Sequence, residues 1–265
     1  MLADMLLRVR VALPDRPGSL GQVARTLGVS GADIVQVVVL ERLGGRAVDD
    51  FTVVWPGGSG VERLRAGLAA MPGVRVDGIW RAIGSPVSSG VDAELLTQIA
   101  GKPDDGLSIL VDTVPALVAA DWAAVLLVPA DWAVRRMDPA IVYASWRMPQ
   151  PPELPEITPL RPRASTAADG TRFALVPFGK GGLVLAVARQ ADNQLPVATF
   201  HGTEVDRLAQ LVRATSVMMG TRLDEEIANG ELAHNQSCIT AGNSDVTSRA
   251  QAELHDTLAG KSDSR

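Results

Sequence analysis

Cysteine is nearly absent from this 265-residue sequence. Cys238 is the single copy, so no intramolecular disulfide can form, and a reducing, cytoplasmic setting is the expectation. Histidine is scarce as well. His201, His234 and His255 are the three copies, and none stands beside a serine or cysteine in a nucleophile elbow. A dinucleotide glycine fingerprint is also missing. These gaps leave no convincing catalytic set, so a non-enzymatic protein without a cofactor is expected. No apolar run reaches the roughly eighteen residues that a membrane helix needs. The start, Met1-Leu2-Ala3-Asp4-Met5-Leu6-Leu7-Arg8, lacks the basic opening and long apolar core of a signal peptide. Membrane insertion and export are therefore not expected. Basic charge is not in excess either: the formal net charge is −5, which argues against a large nucleic-acid surface and hence against DNA or RNA as partners.

What the chain does have is apolar material, 46% of its residues, enough at this length for two ordinary cores. The stretch that organises it runs from Leu7 to Leu40. Leu7, Val9, Val11 and Leu13 alternate at period two, the pattern of a half-buried strand. Leu20, Val23, Ala24 and Leu27 then fall on one helical face, with Gly28 as a stop. Between them lies Asp15-Arg16-Pro17-Gly18-Ser19-Leu20. Pro17 disfavours helix at Arg16, so the helix cannot begin before the proline, and Gly18 lets a ligand approach the backbone closely. The first amides of that helix are expected to be unpaired and open to an anion such as a carboxylate. Alternatively, Pro17-Gly18 makes only a tight strand-to-helix turn.

Downstream, the alternation predicts a second strand through Asp33-Ile34-Val35-Gln36-Val37-Val38-Val39 and a third near Val48 to Trp55. A helix follows near Val61 to Met71, with a capping box at Ser59-Gly60-Val61-Glu62, and a strand near Val74 to Trp80. That is βαββαβ in about 75 residues, one of the ferredoxin-like patterns with helices on one sheet face. The unit resembles an ACT domain, a small amino-acid-sensing module, in its Asp-Arg-Pro-Gly-Ser-Leu turn and its Gly31-Ala32-Asp33-Ile34 entry to the second strand. The resemblance covers roughly residues 5 to 82, within a first domain set at 1–82.

Ile83 to Gly90 is a run of small and turn-forming residues and reads as a linker. Beyond it, Asp92 to Ala100 is a short helix, and a second helical face from Leu107 to Val118 is interrupted by Pro115, where a kink or restart is expected. Four strands follow, Trp122 to Val128, Ile141 to Met148, Thr171 to Phe178 and Leu183 to Arg189, and then a helix from about Glu204 to Leu223. This order makes an α+β layer structure, an antiparallel sheet with flanking helices, and resembles a GAF domain over residues 91–223. One departure stands out. Pro149 to Pro162 holds six prolines in fourteen residues, which excludes a regular helix where ligand-binding GAF domains place pocket-forming ones. From Asp224 to Arg265 the chain is polar and expected to lack fixed structure in part.

Several motifs invite chemistry and yield to plainer readings. Asp49 and Asp50 pair two carboxylates, but no histidine or third carboxylate is near in sequence, and a solvated hairpin flank is the expectation. Gly179-Lys180-Gly181-Gly182 lacks Walker spacing and reads as a hairpin turn. Trp122, Trp132, Tyr143 and Trp146 with Arg135 and Arg147 are read as strand packing in preference to a pocket for a planar anion. His234, Cys238 and His255 lie in the polar tail, and no metal is expected there.

The ACT resemblance implies an amino-acid effector held between two protomers of a homodimer. Asp15, Arg16, Pro17, Gly18, Ser19 and Leu20 of one protomer would meet Asp33, Ile34 and Val35 of the other. The amides of Gly18, Ser19 and Leu20 would take the α-carboxylate, and Asp15 or Asp33 the α-ammonium. Asp33 stands where the family commonly has asparagine, which leaves the ligand's orientation open. Two alternatives remain: a ligand-free dimerisation or protein-interaction scaffold, and a sensor whose ligand sits in the second domain. The signal would pass to the second domain or to an unidentified protein partner.

Overall fold

The alternation of the first residues becomes strand β1, Met5–Pro14, whose Leu7, Val9, Val11 and Leu13 are buried on one face of an antiparallel sheet. The computed structural model describes residues 4–56, 60–82, 90–129 and 139–230. Strands β2 (Asp33–Leu43) and β3 (Arg46–Trp55) form a hairpin across Gly44 and Gly45, both at positive φ (60° and 75°). A two-residue turn of this kind asks for residues without a Cβ penalty at both central positions. Strand β4 (Arg75–Arg81) pairs with β1 and completes the order β2-β3-β1-β4, leaving β2 and β4 at the edges.

Helices α1 (Ser19–Val29) and α2 (Val61–Ala69) lie over the face that carries Leu7, Val9 and Val11. Val23 with Leu27, and Leu64 with Leu68, are i, i+4 pairs, so each helix buries one stripe against Phe51, Val53, Trp55 and Ile79. This is the expected ferredoxin-like βαββαβ unit. Its second helix starts differently from expectation. Gly60 occupies the N-cap without a side-chain hydrogen bond, and Glu62 pairs with Arg65 at 2.8 Å, while Ser59 lies outside the described residues.

Of the expected linker, Ile83 to Gly90, residues 83–89 lie outside the described residues, and Gly90 is the N-cap of the next helix. After it, α3 (Val91–Gly101), a short 3₁₀ turn (Pro103–Asp105) and α4 (Gly106–Leu117) lead into a five-stranded antiparallel sheet of order β6-β5-β9-β8-β7. Its strands are β5 (Trp122–Leu127), β6 (Ala140–Ala144), β7 (Arg163–Thr166), β8 (Arg172–Pro177) and β9 (Leu183–Arg189), and α5 (Gly202–Met219) packs with α3 and α4 on one face. The antiparallel sheet with flanking helices was expected, and its details correct the sequence reading in four places. Helix α4 runs through Pro115 without a restart; the proline gives up one intrahelical hydrogen bond, and the helix continues only two residues beyond it. Strand β6 ends at Ala144, where the Ser145 amide turns back to the Ala123 carbonyl at 2.9 Å. A fifth strand, β7, follows the proline run; four residues are too few for alternation to announce it.

The fourth correction concerns the end of the final helix. Gly220, at φ 56°, interrupts the final helix, and residues 221–230 are helical again. Leu223, the expected last residue of that helix, is fully buried, and Ile227, four residues on, packs on the same core, so the helical chain runs past the expected end to 230. The remainder of the tail, with His234, Cys238 and His255, lies outside the described residues.

The proline run forms neither helix nor strand. Its Leu154 and Ile157 instead cover the outer face of the second sheet, against Trp122, Phe173 and Leu175. That face is filled by the chain's own side chains. The helix-free face of the first sheet is docked on the second unit: the Trp80 Nε1–H donates to the Ala119 carbonyl (2.8 Å) and the Ile79 amide to the Pro196 carbonyl (2.8 Å). Gly78 permits this approach, since a Cβ there would meet the Ala198 backbone nitrogen at 2.6 Å.

Buried charge joins the two units. Arg10 donates through Nε and Nη2 to both oxygens of Asp50 (2.7 and 2.8 Å), and through Nη2 to Glu204 (2.9 Å). Glu204 also pairs with Arg189, which is fully buried and stacks over Trp80 and Phe200 at 4.6 and 4.0 Å. Burial alone would push the Glu204 carboxyl up; the charges of Arg189 and Arg10, with the His201 amide, reverse that and hold it down to about 2. Glu204 and His201 form a capping box at the start of α5, a motif the sequence does not advertise, because histidine is an unusual cap.

Candidate functional site

The turn from β1 to α1 is held by the chain itself. The Asp15 amide donates to the Gly45 carbonyl (2.9 Å) and the Arg16 amide to the Pro14 carbonyl (3.0 Å). Gly18 is the N-cap at φ 89°, a left-handed conformation that a side chain resists although space around it is open. The Ser19 amide donates to the Arg16 carbonyl at 3.2 Å, and Ser19 is buried. The expectation that the amides of Gly18, Ser19 and Leu20 all stand open is thus corrected at Ser19. The amides of Gly18 and Leu20 keep no backbone acceptor among the described residues.

All six residues from Asp15 to Leu20 line one cavity of about 350 Å³, together with Val39, Arg42, Ala47 and Asp49. Asp49 is the residue the sequence reading passed over as a solvated flank. It is 3% exposed, and its Oδ1 has no hydrogen-bond partner. Strand register explains why: Asp49 pairs opposite Val11 and Val39, so the pleat aims it to the same face as Phe51 and Val53, toward α1. Asp50, one residue on, points to the other face and meets Arg10. Burial raises the Asp49 carboxyl above its ordinary range, and the nearby Asp50 charge adds to this while Arg42 opposes it.

Asp15 is already engaged. Arg42 donates to it through Nη2 at 2.7 Å and Nε at 3.1 Å, an exposed forked pair at the cavity mouth. Any ligand ammonium meeting Asp15 shares it with that guanidinium. Asp33, Ile34 and Val35 do not line this cavity. They start β2, where Asp33 is exposed and pairs opposite Val54, Ile34 packs on the first core, and Val35 is exposed. With Val37 and Val39, Val35 forms a row of exposed valines along an unpaired sheet edge, and Val39 reaches the cavity.

The aromatic group considered in the sequence does not assemble. Trp122 is buried in the outer core of the second sheet, Tyr143 donates to Glu226 (3.3 Å), and Trp146 is exposed under Arg147. Trp132 and Arg135 lie outside the described residues. Among the described residues no cluster of three or more His, Cys, Asp or Glu could hold a metal ion, and no helix is long and apolar enough to cross a membrane.

No family model matches the chain, and no curated protein is significantly similar to it. Solved structures are similar at low identity. An unknown protein from Galdieria sulphuraria is 14% identical, with 82% of this chain and 95% of that chain covered and a TM-score of 0.28. The regulatory subunit of aspartate kinase from Thermus thermophilus is 12% identical, with 82% and 97% covered and a TM-score of 0.25. A formyltetrahydrofolate deformylase from Pseudomonas putida KT2440 is 19% identical, with 37% of this chain and 38% of that chain covered and a TM-score of 0.26. Scores this low leave the site to be argued from its own chemistry.

Proposed function

We propose that this protein is a non-catalytic, ACT-type regulator that senses a free amino acid in the cavity at the start of α1, acting as a homodimer. The observation that carries the reading is a buried, unpartnered carboxylate, Asp49, lining the same cavity as an open helix N-terminus. A zwitterion complements both ends. Its carboxylate takes the Gly18 and Leu20 amides and the positive end of the α1 dipole, and its ammonium takes Asp49, with Asp15 and Arg42 at the mouth. Asp33, Ile34 and Val35 of a second protomer close the site when β2 edges meet, burying the exposed valine row and the exposed Leu20 on the rim. Ligand binding then favours the dimer by mass action.

Titration calorimetry against the twenty amino acids, with wild type and Asp49→Asn, tests this. One amino acid binds wild type, and the variant, which cannot accept the ammonium as a charged group, binds about tenfold or more weakly. Equal binding by the variant overturns the assignment of Asp49. A scaffold without a ligand is the second reading, favoured by the unpaired β2 edge, which suits sheet extension whether or not the cavity is filled. It predicts a dimer and no binding of any amino acid at millimolar concentration.

A further inference from the structure

A second cavity, of about 310 Å³, lies on the opposite face of the first sheet, between the two units. Arg8, Gln36 and Val38 reach it from the sheet; Asp92, Glu204 and Arg207 reach it from the helices. Arg8 is 9% exposed, and its Nε is buried with no hydrogen-bond partner. The nearby carboxylates are committed elsewhere. Both Asp50 oxygens accept from Arg10, so Arg8 Nη1 stays 4.0 Å from Asp50 Oδ2, beyond hydrogen-bond reach. Both Asp92 oxygens accept from Arg207, at 2.9 and 2.6 Å, and Glu204 serves Arg10, Arg189 and the His201 amide.

Arg8 is therefore the cation this network leaves over. Burial lowers its pKa, and the positive charges of Arg10 and Arg207 add to that while Asp50 and Glu204 oppose it. A guanidinium stays protonated in spite of such pressure. A buried guanidinium with an unsatisfied Nε and its carboxylate neighbour only at ion-pair distance is incompletely paired, a cost that an entering anion reduces. The first turn of α3 opens on the same space: Gly90, its N-cap at φ 97°, lines the cavity.

We propose that this interdomain cavity is a second ligand site, for a small oxyanion bearing a carboxylate or phosphate group, received by Arg8 with Arg207 and the start of α3 beside it. The forked donor edge of a guanidinium matches two oxygens of either group. Because its walls come from both units, an occupant ties them together. The site is on the other side of the sheet from the amino-acid cavity and stands whether or not that cavity binds.

The test uses the full chain at constant ionic strength, with inorganic phosphate and malonate as separate probes and chloride as the balancing anion. Thermal melting rises with at least one probe, and the responding probe identifies phosphate or carboxylate as the preferred group. Arg8→Met loses the rise, while Arg8→Lys, which keeps the charge without the planar fork, binds about tenfold more weakly than wild type. If Arg8→Met does not fold, Arg8→Lys and direct titration calorimetry of wild type with the same probes decide the matter. No response to either probe at millimolar concentration, or an undiminished response in Arg8→Met or Arg8→Lys, overturns the proposal.

Discussion

Glu204→Gln isolates the charge that holds the two units together. Glutamine keeps the shape and can still accept the His201 amide that closes the helix cap, so the cap survives. What disappears is the negative charge between Arg10 and the fully buried Arg189. The carboxyl is held down from its ordinary 4.5 to about 2. A shift of that size corresponds to about 3 kcal/mol of folding stability near neutral pH, in line with the general cost of breaking a buried pair. The pH window follows from the sign. A depressed carboxylate contributes fully above the unfolded value of 4.5 and loses its contribution as pH falls toward 2.

The assay is urea unfolding of wild type and variant across that window. The variant is less stable by about 3 kcal/mol at about pH 7, by about 2 at about pH 3.5 and by under about 1 at about pH 2.5. A pH-independent difference would show that Glu204 acts through shape alone, and a difference near zero at neutral pH would refute the charge argument altogether.

Asp49→Asn should melt higher than wild type at neutral pH without ligand, because the raised folded pKa marks a charged form that folding disfavours; calorimetry should show that gain vanish as pH drops below 3.8. Gly18→Ala places a Cβ in open space at φ 89°, so only backbone strain acts, and urea unfolding should register a loss of about 1–2 kcal/mol. Gly78→Ala instead drives a Cβ into the Ala198 backbone, and a loss of about 1–3 kcal/mol should accompany faster hydrogen exchange at the Ile79 amide. Val37→Lys charges the exposed edge of β2, and light scattering should report a dimer for wild type, as the proposed function requires, and a monomer for the variant.

Periodicity made most of the elements legible. Leu7 to Leu13 announced β1, and the i, i+4 pairs Val23–Leu27 and Leu64–Leu68 announced two helices, because burial of one face leaves a repeat that local sequence retains. The charged groups were harder, since their environment comes from distant residues. Asp49 reads as solvated beside Asp50, yet the alternation of Phe51, Val53 and Trp55, carried back one step, already assigns Asp49 to the covered face. No such clue exists for Arg8, Arg10 and Asp50. Their face is buried only because the second unit docks on it, and Thr199 and Glu204, which meet Arg10, lie nearly two hundred residues away. Strand β7 and the helical residues 224–230 escaped notice for a different reason: one is too short for a period, and the other has Ile227 as its apolar anchor among charges.

The two proposed sites share a physical signature that packing alone does not explain. Interiors satisfy their polar atoms, and a neutral exception such as Trp122 Nε1 or Thr215 Oγ1 costs about 1–3 kcal/mol. A charged exception costs more, so it persists where something outweighs the loss. Arg172 Nε is also unpartnered, but that residue is only half-buried and its Nη1 donates to Thr166. Asp49 and Arg8 are the buried residues among the charged exceptions, and each lines a cavity, on opposite faces of one sheet. Their charges are opposite too. The carboxylate sits by an open helix start, which suits a zwitterion, while the guanidinium sits where every nearby carboxylate is already taken, which suits an anion. Strand β3 stands between them, presenting Asp49 to one cavity and Asp50 to the other, so a single pleat sets the chemistry of both.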